Sequence, residues 1–436
     1  MSVSPRSKRH PPPVKRRAIL FNVIVISLSI LGCQLVTPES AATPTATITI
    51  PTDSPTPTQA PPTATTPPPT ATITPTASSL RASQAITITS ITMLDPEVGW
   101  GIGDAGNAGD LILKTTDSGE TWRDVTPSDA LPQGTQLTEA LGYFQNQERA
   151  WVTYSSSQGP AAGTPVVWHT GDGGDSWQSS QPLDQSGLEN VFGPSHLYFA
   201  DESTGWLLVH VGVGMSHDYV ALFKSTDGGQ TFDRLLDPYN DGGIQACYKN
   251  AMLFIDTQHG WLTGTCGGVA AGVLLFRTVD GGLTWQDVTL PSPAASPDLF
   301  TRFDAACGSS SPAFLDDQTG YIAVACDLYD QEPRTTVHFL FSTQDGGDTW
   351  KSTSYPGGEL RFFDAQTGVA LGNEIFKTED GGRSWTKISV LTWEGTFDFP
   401  DEGHAWAVAR SDDQVALVVS QDGGQYWSIL EPKLVP

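Results

Sequence analysis

The chain has 436 residues and carries 48 acidic against 23 basic side chains, a formal charge of −25. A surface so acidic repels phosphate backbones and anionic headgroups, which excludes nucleic acid as a partner. No G-x-S-x-G, Walker loop, HExxH or dinucleotide fingerprint occurs, so no catalytic residue, cofactor or metal is assigned.

Residues 1–32 read as a lipoprotein signal peptide. Arg6, Lys8, Arg9, Lys15, Arg16 and Arg17 precede the apolar run AILFNVIVISLSILG. Its 15 residues fall short of the roughly 18–20 that span a bilayer. The run ends in ILGC, which resembles the bacterial lipobox, in which Cys33 becomes the lipidated first residue. An uncleaved N-terminal anchor is the alternative. Both place the remainder outside the cytoplasm, on the outer side of a bacterial membrane. Removing residues 1–32 takes six basic and no acidic residues, so the charge moves from −25 to −31.

Residues 33–82 form a Pro/Thr-rich linker, as in TPTQAPPTATTPPPTATITPTAS. It holds too little apolar surface to bury a core and reads as a disordered stalk. At about 3.1 Å per residue in extended polyproline form, it reaches up to ~130 Å.

Residues 83–436 are self-similar, with two signatures in strict alternation. One is an acidic or polar turn leading into an aromatic strand: DPEVGW at Trp100, NQERAW at Trp151, DESTGW at Trp206 and DTQHGW at Trp261. It continues as DDQTGY at Tyr321, DAQTGV at Val369 and DEGHAW at Trp406. The other is an Asp-Gly turn: TTDSGETW at 115–122, TGDGGDSW at 170–177, STDGGQTF at 225–232 and TVDGGLTW at 278–285. TQDGGDTW at 343–350, TEDGGRSW at 378–385 and SQDGGQYW at 420–427 complete it. Each unit reads as four short strands; in the third they are SHLYFAD, GWLLVHV, VALFKST and TFDRLL. Four strands repeated seven times predict an all-β, seven-bladed β-propeller with four antiparallel strands per blade.

In the Asp-Gly turns, Asp117, Asp172, Asp227, Asp280, Asp345, Asp380 and Asp422 are placed to accept hydrogen bonds from turn N–H groups and hydroxyls. A glycine supplies positive φ. Trp122, Trp177, Phe232, Trp285, Trp350, Trp385 and Trp427 bury large apolar faces between layers. Because the motif repeats where no single active site could be, these aspartates are read as structural.

The [ST]-x-D-x-G-x-[TS]-[WF] pattern is similar to the Asp-box, or bacterial neuraminidase, repeat. Paired with the G-W signature seven times, it resembles the photosystem II stability and assembly factor-like propellers. The resemblance covers residues about 85–436 and implies a non-catalytic binding or assembly scaffold for a protein client. Asp-boxes also occur in sialidases, xyloglucan hydrolases and sorting receptors. The alternative is therefore a cell-surface glycoside hydrolase or carbohydrate-binding propeller. A sialidase needs an arginine cluster, but basic residues here are sparse, and Lys114, Lys224, Arg277 and Lys377 repeat with the architecture. The expected partners are membrane lipid through Cys33 and a protein client or surface glycan, with the chain acting as a monomer.

Cys247 and Cys266 are 19 residues apart, and Cys307 and Cys326 repeat them 60 residues on. Both pairs centre on the turn between a unit's first two strands, where symmetric positions face each other. This predicts Cys247–Cys266 and Cys307–Cys326 disulfides, which an exported location permits. A Cys247–Cys307 bridge between blades is the competing pairing; a zinc site lacks any CxxC.

The two signatures place the standardised turns at one end of each blade, so length variation falls at the other. Function favours variable loops on a rigid scaffold. The candidate ligand-face loops are 154–163, 211–218, 237–243 and 327–334. Within them Asp218, Tyr239, Asp327, Tyr329 and Arg334 are the candidate contacts. His210 and His217 are a weaker candidate metal pair.

Overall fold

The computed structural model describes residues 86–104, 110–127, 137–156, 165–188, 193–214, 217–240, 242, 244, 247–265, 272–412 and 414–435. Among them there is no α-helix. The expected leader, the linker, Cys33, Cys266 and most of the 154–163 loop lie outside the described residues.

Strands β1 (Thr87–Met93), β2 (Gly99–Asp104), β3 (Leu111–Thr115) and β4 (Thr121–Asp124) form an antiparallel meander. A second contains β5 (Leu137–Phe144), β6 (Ala150–Ser156), β7 (Trp168–Thr170) and β8 (Gln178–Ser179). A third contains β9 (Gly193–Phe199), β10 (Gly205–Gly214), β11 (His217–Ser225) and β12 (Asp233–Leu236). A nine-stranded sheet follows, built from two meanders. The first is β13 (Tyr248–Phe254), β14 (Gly260–Thr265), β15 (Leu274–Thr278) and β16 (Gln286–Asp287). The second is β17 (Ala305–Ser309), β18 (Ala313–Phe314), β19 (Gly320–Leu328), β20 (Thr335–Thr343) and β21 (Lys351–Ser354). One pairing, Thr265 with Gly308, joins them. The last meanders are β22 (Glu359–Phe362), β23 (Gly368–Leu371), β24 (Glu374–Thr378) and β25 (Thr386–Val390), then β26 (Glu394–Asp398), β27 (Ala405–Ser411), β28 (Gln414–Ser420) and β29 (Ser428–Ile429).

Strand periodicity explains why β10 is apolar on both faces. Leu207, Val209 and Val211 enter one core with Trp151 and Phe199, whereas Trp206 and Leu208 enter another with Phe254 and Trp285. Alternate side chains point to opposite faces, so the sheet is a middle layer with a core on each side. The succession closes on itself: Ile88, Leu113 and Trp122 of the first meander share a core with Trp406, Val408 and Leu417 of the last. Four-stranded sheets packed face to face around a ring make the molecule a β-propeller.

Tryptophans staple neighbouring layers. The indole N–H of Trp151 donates to the Gly228 carbonyl at 2.8 Å, and that of Trp206 to Gly281 at 2.9 Å. Trp206 also stacks on Phe254 with ring centroids 3.6 Å apart. Trp406 repeats the device across the closure, donating to the Ser118 carbonyl at 2.9 Å. Strand β30 (Lys433–Val435) completes the seam by lying parallel to β4, with Leu434 beside Trp122.

Cys307 and Cys326 are direct cross-strand partners of β17 and β19 and form a disulfide with sulfurs 2.06 Å apart. That bond excludes a Cys247–Cys307 bridge. Cys247 is itself disulfide-bonded.

Candidate functional site

At the end carrying the Asp-Gly hairpins, the carboxylates are occupied. The Asp345 Oδ1 accepts from the Thr343 hydroxyl at 2.7 Å and the Thr349 N–H at 2.8 Å, and its Oδ2 from the Thr349 hydroxyl at 2.5 Å. Asp117, Asp172, Asp227, Asp280 and Asp380 make the same three contacts. Asp422 keeps the Oδ1 pair, to the Ser420 hydroxyl and the Tyr426 N–H, where Tyr426 replaces the usual hydroxyl. Hydrogen bonds to the charged form favour it. Those from Thr349 and Thr343 hold Asp345 down at about 2, and those from Ser384 and Thr378 do the same for Asp380. In each turn the first hydroxyl also accepts a glycine N–H, as Thr343 does from Gly347 at 2.9 Å. Gly347 has φ +87°, a conformation a side chain would strain.

Most of the box aromatics point inward. Trp285, Trp350, Trp385 and Trp427 donate to the second glycine carbonyl of their own turns, and Trp122 to Gly119. Trp177 reaches the Val125 carbonyl of the preceding sheet, and Phe232 packs edge-on to Phe199. A hollow of about 300 Å³ lies against the Asp380 hairpin, but Asp380 is saturated and Lys377 pairs with Glu379 at 3.1 Å. It offers a ligand little.

The opposite end is different. There a cleft of about 370 Å³ is lined by Gly187, Val211, Gly212, Val213, Tyr219, Pro238 and Tyr239. A register shift between His210 and Gly212 lets β10 and β11 run on past the core. Val213 is 77 % exposed, Tyr239 82 % and Tyr219 37 %. Tyr239 sits on a tight turn: the Asp237 carboxylate accepts the N–H groups of Tyr239 and Asn240 at 2.8 and 2.9 Å. The second wall is tied down by Arg234, which pairs with Asp184 and Asp237 at 3.4 Å and donates to the Asp184 and Ser186 carbonyls.

Beside this cleft, on the β10–β11 ribbon, Asp218 is buried. Its Oδ1 accepts from His210 Nδ1 at 2.7 Å, so that nitrogen carries the proton, and its Oδ2 accepts the Lys249 N–H at 3.1 Å. The Lys249 ammonium, also buried, donates to the Asp218 and Cys247 carbonyls at 2.9 and 3.0 Å. The His210 ring stacks on Tyr248 at 4.9 Å. The expectation of Asp218 as a loop contact is thus corrected. Its carboxylate braces two adjoining sheets, because a buried charge must be paired.

Of the five candidate contacts, Tyr239 alone lines the cleft. Tyr329 and Arg334 lie on the β19–β20 connection, with the Arg334 guanidinium 5.2 Å from the Tyr329 ring centre, and Asp327, near the end of β19, accepts the hydroxyl of its cross-strand partner Thr336 at 2.6 Å. Tyr219, Val211 and Val213 were not singled out. The 211–218 loop covers the two valines and stops one residue short of Tyr219. The His217 side chain lies outside the described residues, and among those described no three potential metal ligands cluster.

Two further acids were not foreseen. Glu359 and Asp398 lie on β22 and β26, the first strands of adjoining meanders. Burial raises both above their ordinary values; Arg361 opposes the shift at Glu359, where the Asp398 charge adds to it, and the Met93 N–H and then Arg361 oppose it at Asp398. Glu359 is reached by solvent yet hemmed in by protein atoms, which is what desolvates it. Asp398 also accepts the Met93 N–H at 2.5 Å across the closure.

No protein family description and no curated protein matches the chain. Among solved structures, it is similar to a GH74 xyloglucanase from Xanthomonas campestris, with 15 % identity over 79 % of this chain and a TM-score of 0.36. The chain spans 64 % of that enzyme's length. It is also similar to a Penicillium chrysogenum α-L-arabinanase complexed with arabinobiose, with 14 % identity, 66 % of this chain and 95 % of that one covered, and a TM-score of 0.43. A PL25 ulvan lyase aligns at 13 % identity, covering 66 % and 81 % of the two chains, with a TM-score of 0.41. These neighbours are carbohydrate-active enzymes by name, and the expected protein-client assembly scaffold is corrected accordingly.

Proposed function

We propose that this chain is a seven-bladed Asp-box propeller, displayed on the outer side of a bacterial membrane through lipidated Cys33, that binds carbohydrate. The observation that carries this reading is the cleft between Tyr219 and Tyr239, small, concave and open to water. Sugar rings present C–H faces that pack on the electron-rich faces of aromatic rings while their hydroxyls stay hydrated. A volume of about 370 Å³ is in the range of small-ligand sites. The test is a glycan array probed with the full chain and with Tyr239→Ala. Binding to a glycan that is lost in the variant supports the reading; binding to none, or binding indifferent to the substitution, overturns it.

A second reading is hydrolysis of a bound glycan, with Glu359 the candidate general acid, its carboxyl raised by burial and by the charge of Asp398 against the opposing Arg361. A general acid for glycoside cleavage needs a raised carboxyl pKa and a second carboxylate opposite it. Turnover of a glycan that disappears in Glu359→Gln, with binding retained, supports this reading. Turnover unaffected by that change refutes the assignment.

A further inference from the structure

We infer that the cleft selects uncharged glycans and rejects uronates and sulfated sugars. The inference deepens the carbohydrate-binding reading and rests on it. The described lining residues are glycine, valine, proline and tyrosine, with no charged side chain among them. Between residues 184 and 243 the only lysine or arginine residues are Lys224 and Arg234. Lys224 is turned to the other end of its sheet, where its ammonium lies 5.0 Å from the Trp206 ring centre and 3.4 Å from the Thr257 and Gly281 carbonyls. Arg234 stands beside the cleft wall but is spent on Asp184, Asp237 and two carbonyl oxygens. Two carboxylates against one guanidinium leave this wall net negative.

An anionic sugar entering here would lose water from its carboxylate or sulfate and find no free cation. Arginine and lysine are the side chains that recognise such groups, through charge-assisted hydrogen bonds. The field of a chain at −25 adds repulsion during approach. An uncharged ring avoids both costs and keeps its C–H contact with Tyr219 and Tyr239. The Tyr239 backbone is held by the Asp237 turn, so little backbone freedom remains to be lost on binding.

The experiment uses the full chain in affinity electrophoresis and calorimetry against length-matched oligosaccharides. The panel contains neutral β-glucan and xylan fragments, polyuronates and sulfated glycans, each at low and at high salt. At least one neutral glycan is expected to bind tenfold or more tighter than every anionic one, with affinity nearly independent of salt. In Asp184→Asn, which frees part of the Arg234 charge, the gap between neutral and anionic glycans is expected to narrow several-fold. Tight binding of an anionic glycan, weakened by salt, overturns the inference and leaves the carbohydrate-binding reading standing. Unchanged discrimination in Asp184→Asn also overturns it. Failure of every glycan to bind overturns the underlying reading itself.

Discussion

At the hairpin end of the sheets, aspartates recur in every layer, yet their oxygens are already engaged by hydroxyls and N–H groups of their own turns. Beside the cleft at the loop end, Asp218 is buried against His210 and Asp237 is paired with Arg234, while Tyr239 and Val213 face water. Polar residues therefore mark the scaffold and apolar ones mark the site, the reverse of what composition suggests. The reason is saturation: a carboxylate with all its partners supplied has nothing to offer a ligand, whereas an exposed tyrosine held on a tight turn has a whole ring face.

Substitutions at the two ends should behave oppositely. Trp206→Ala removes a buried indole, its stack on Phe254 and its bond to Gly281. It should cost about 3–5 kcal/mol in denaturant titration. Replacing Cys307 and Cys326 together by serine opens a loop with a sequence separation of 19. That change should cost about 3 kcal/mol, and reduction of the wild type, which also opens the Cys247 disulfide, should lower stability by more. Asp117→Ala leaves the Thr115 and Thr121 hydroxyls and the Thr121 N–H without their acceptor. A loss of about 1–3 kcal/mol is expected, with glycan affinity unchanged. If Asp117→Ala abolished binding while the fold survived, the division between the two ends would fail.

The hairpin carboxylates also set an acid limit. Asp345 and Asp380 sit at about 2 in the folded chain, below the ordinary 3.8, because hydroxyl and backbone donors favour their charged forms. Their stabilisation is therefore complete above about pH 4 and is lost as pH falls toward 2. Melting temperatures across that window should decline, and less steeply in Asp380→Asn. The smallest effect on stability belongs to Tyr239→Ala, expected to stay within about 0.5 kcal/mol because the side chain is exposed. A large loss of stability there would show Tyr239 to be a packing residue.

The strands and their order were legible because each unit repeats the same local chemistry. The turn after Asp117 and the turn after Asp380 use the same hydroxyl, glycine and aromatic residue, so one reading served for all. The cross-strand position of Cys307 and Cys326 was legible for a related reason, since symmetry about a hairpin turn fixes which residues face each other. The cleft was not legible in this way. Tyr239 was reached from its loop, but its companion Tyr219 lies on a strand whose register shift at His210–Gly212 carries it beyond the core. Asp218 looked like a surface acid and is instead buried against His210 and Lys249, a residue 31 positions away.

What the amino-acid order determined by itself is whatever acts within a few residues: turn chemistry, strand alternation and the pairing of adjacent strands. Tertiary structure alone decided how β30 lies along β4, which acids are buried, and which tyrosines share a cleft. Those depend on packing between segments far apart in the chain, and no local pattern of residues records which distant surface will cover them.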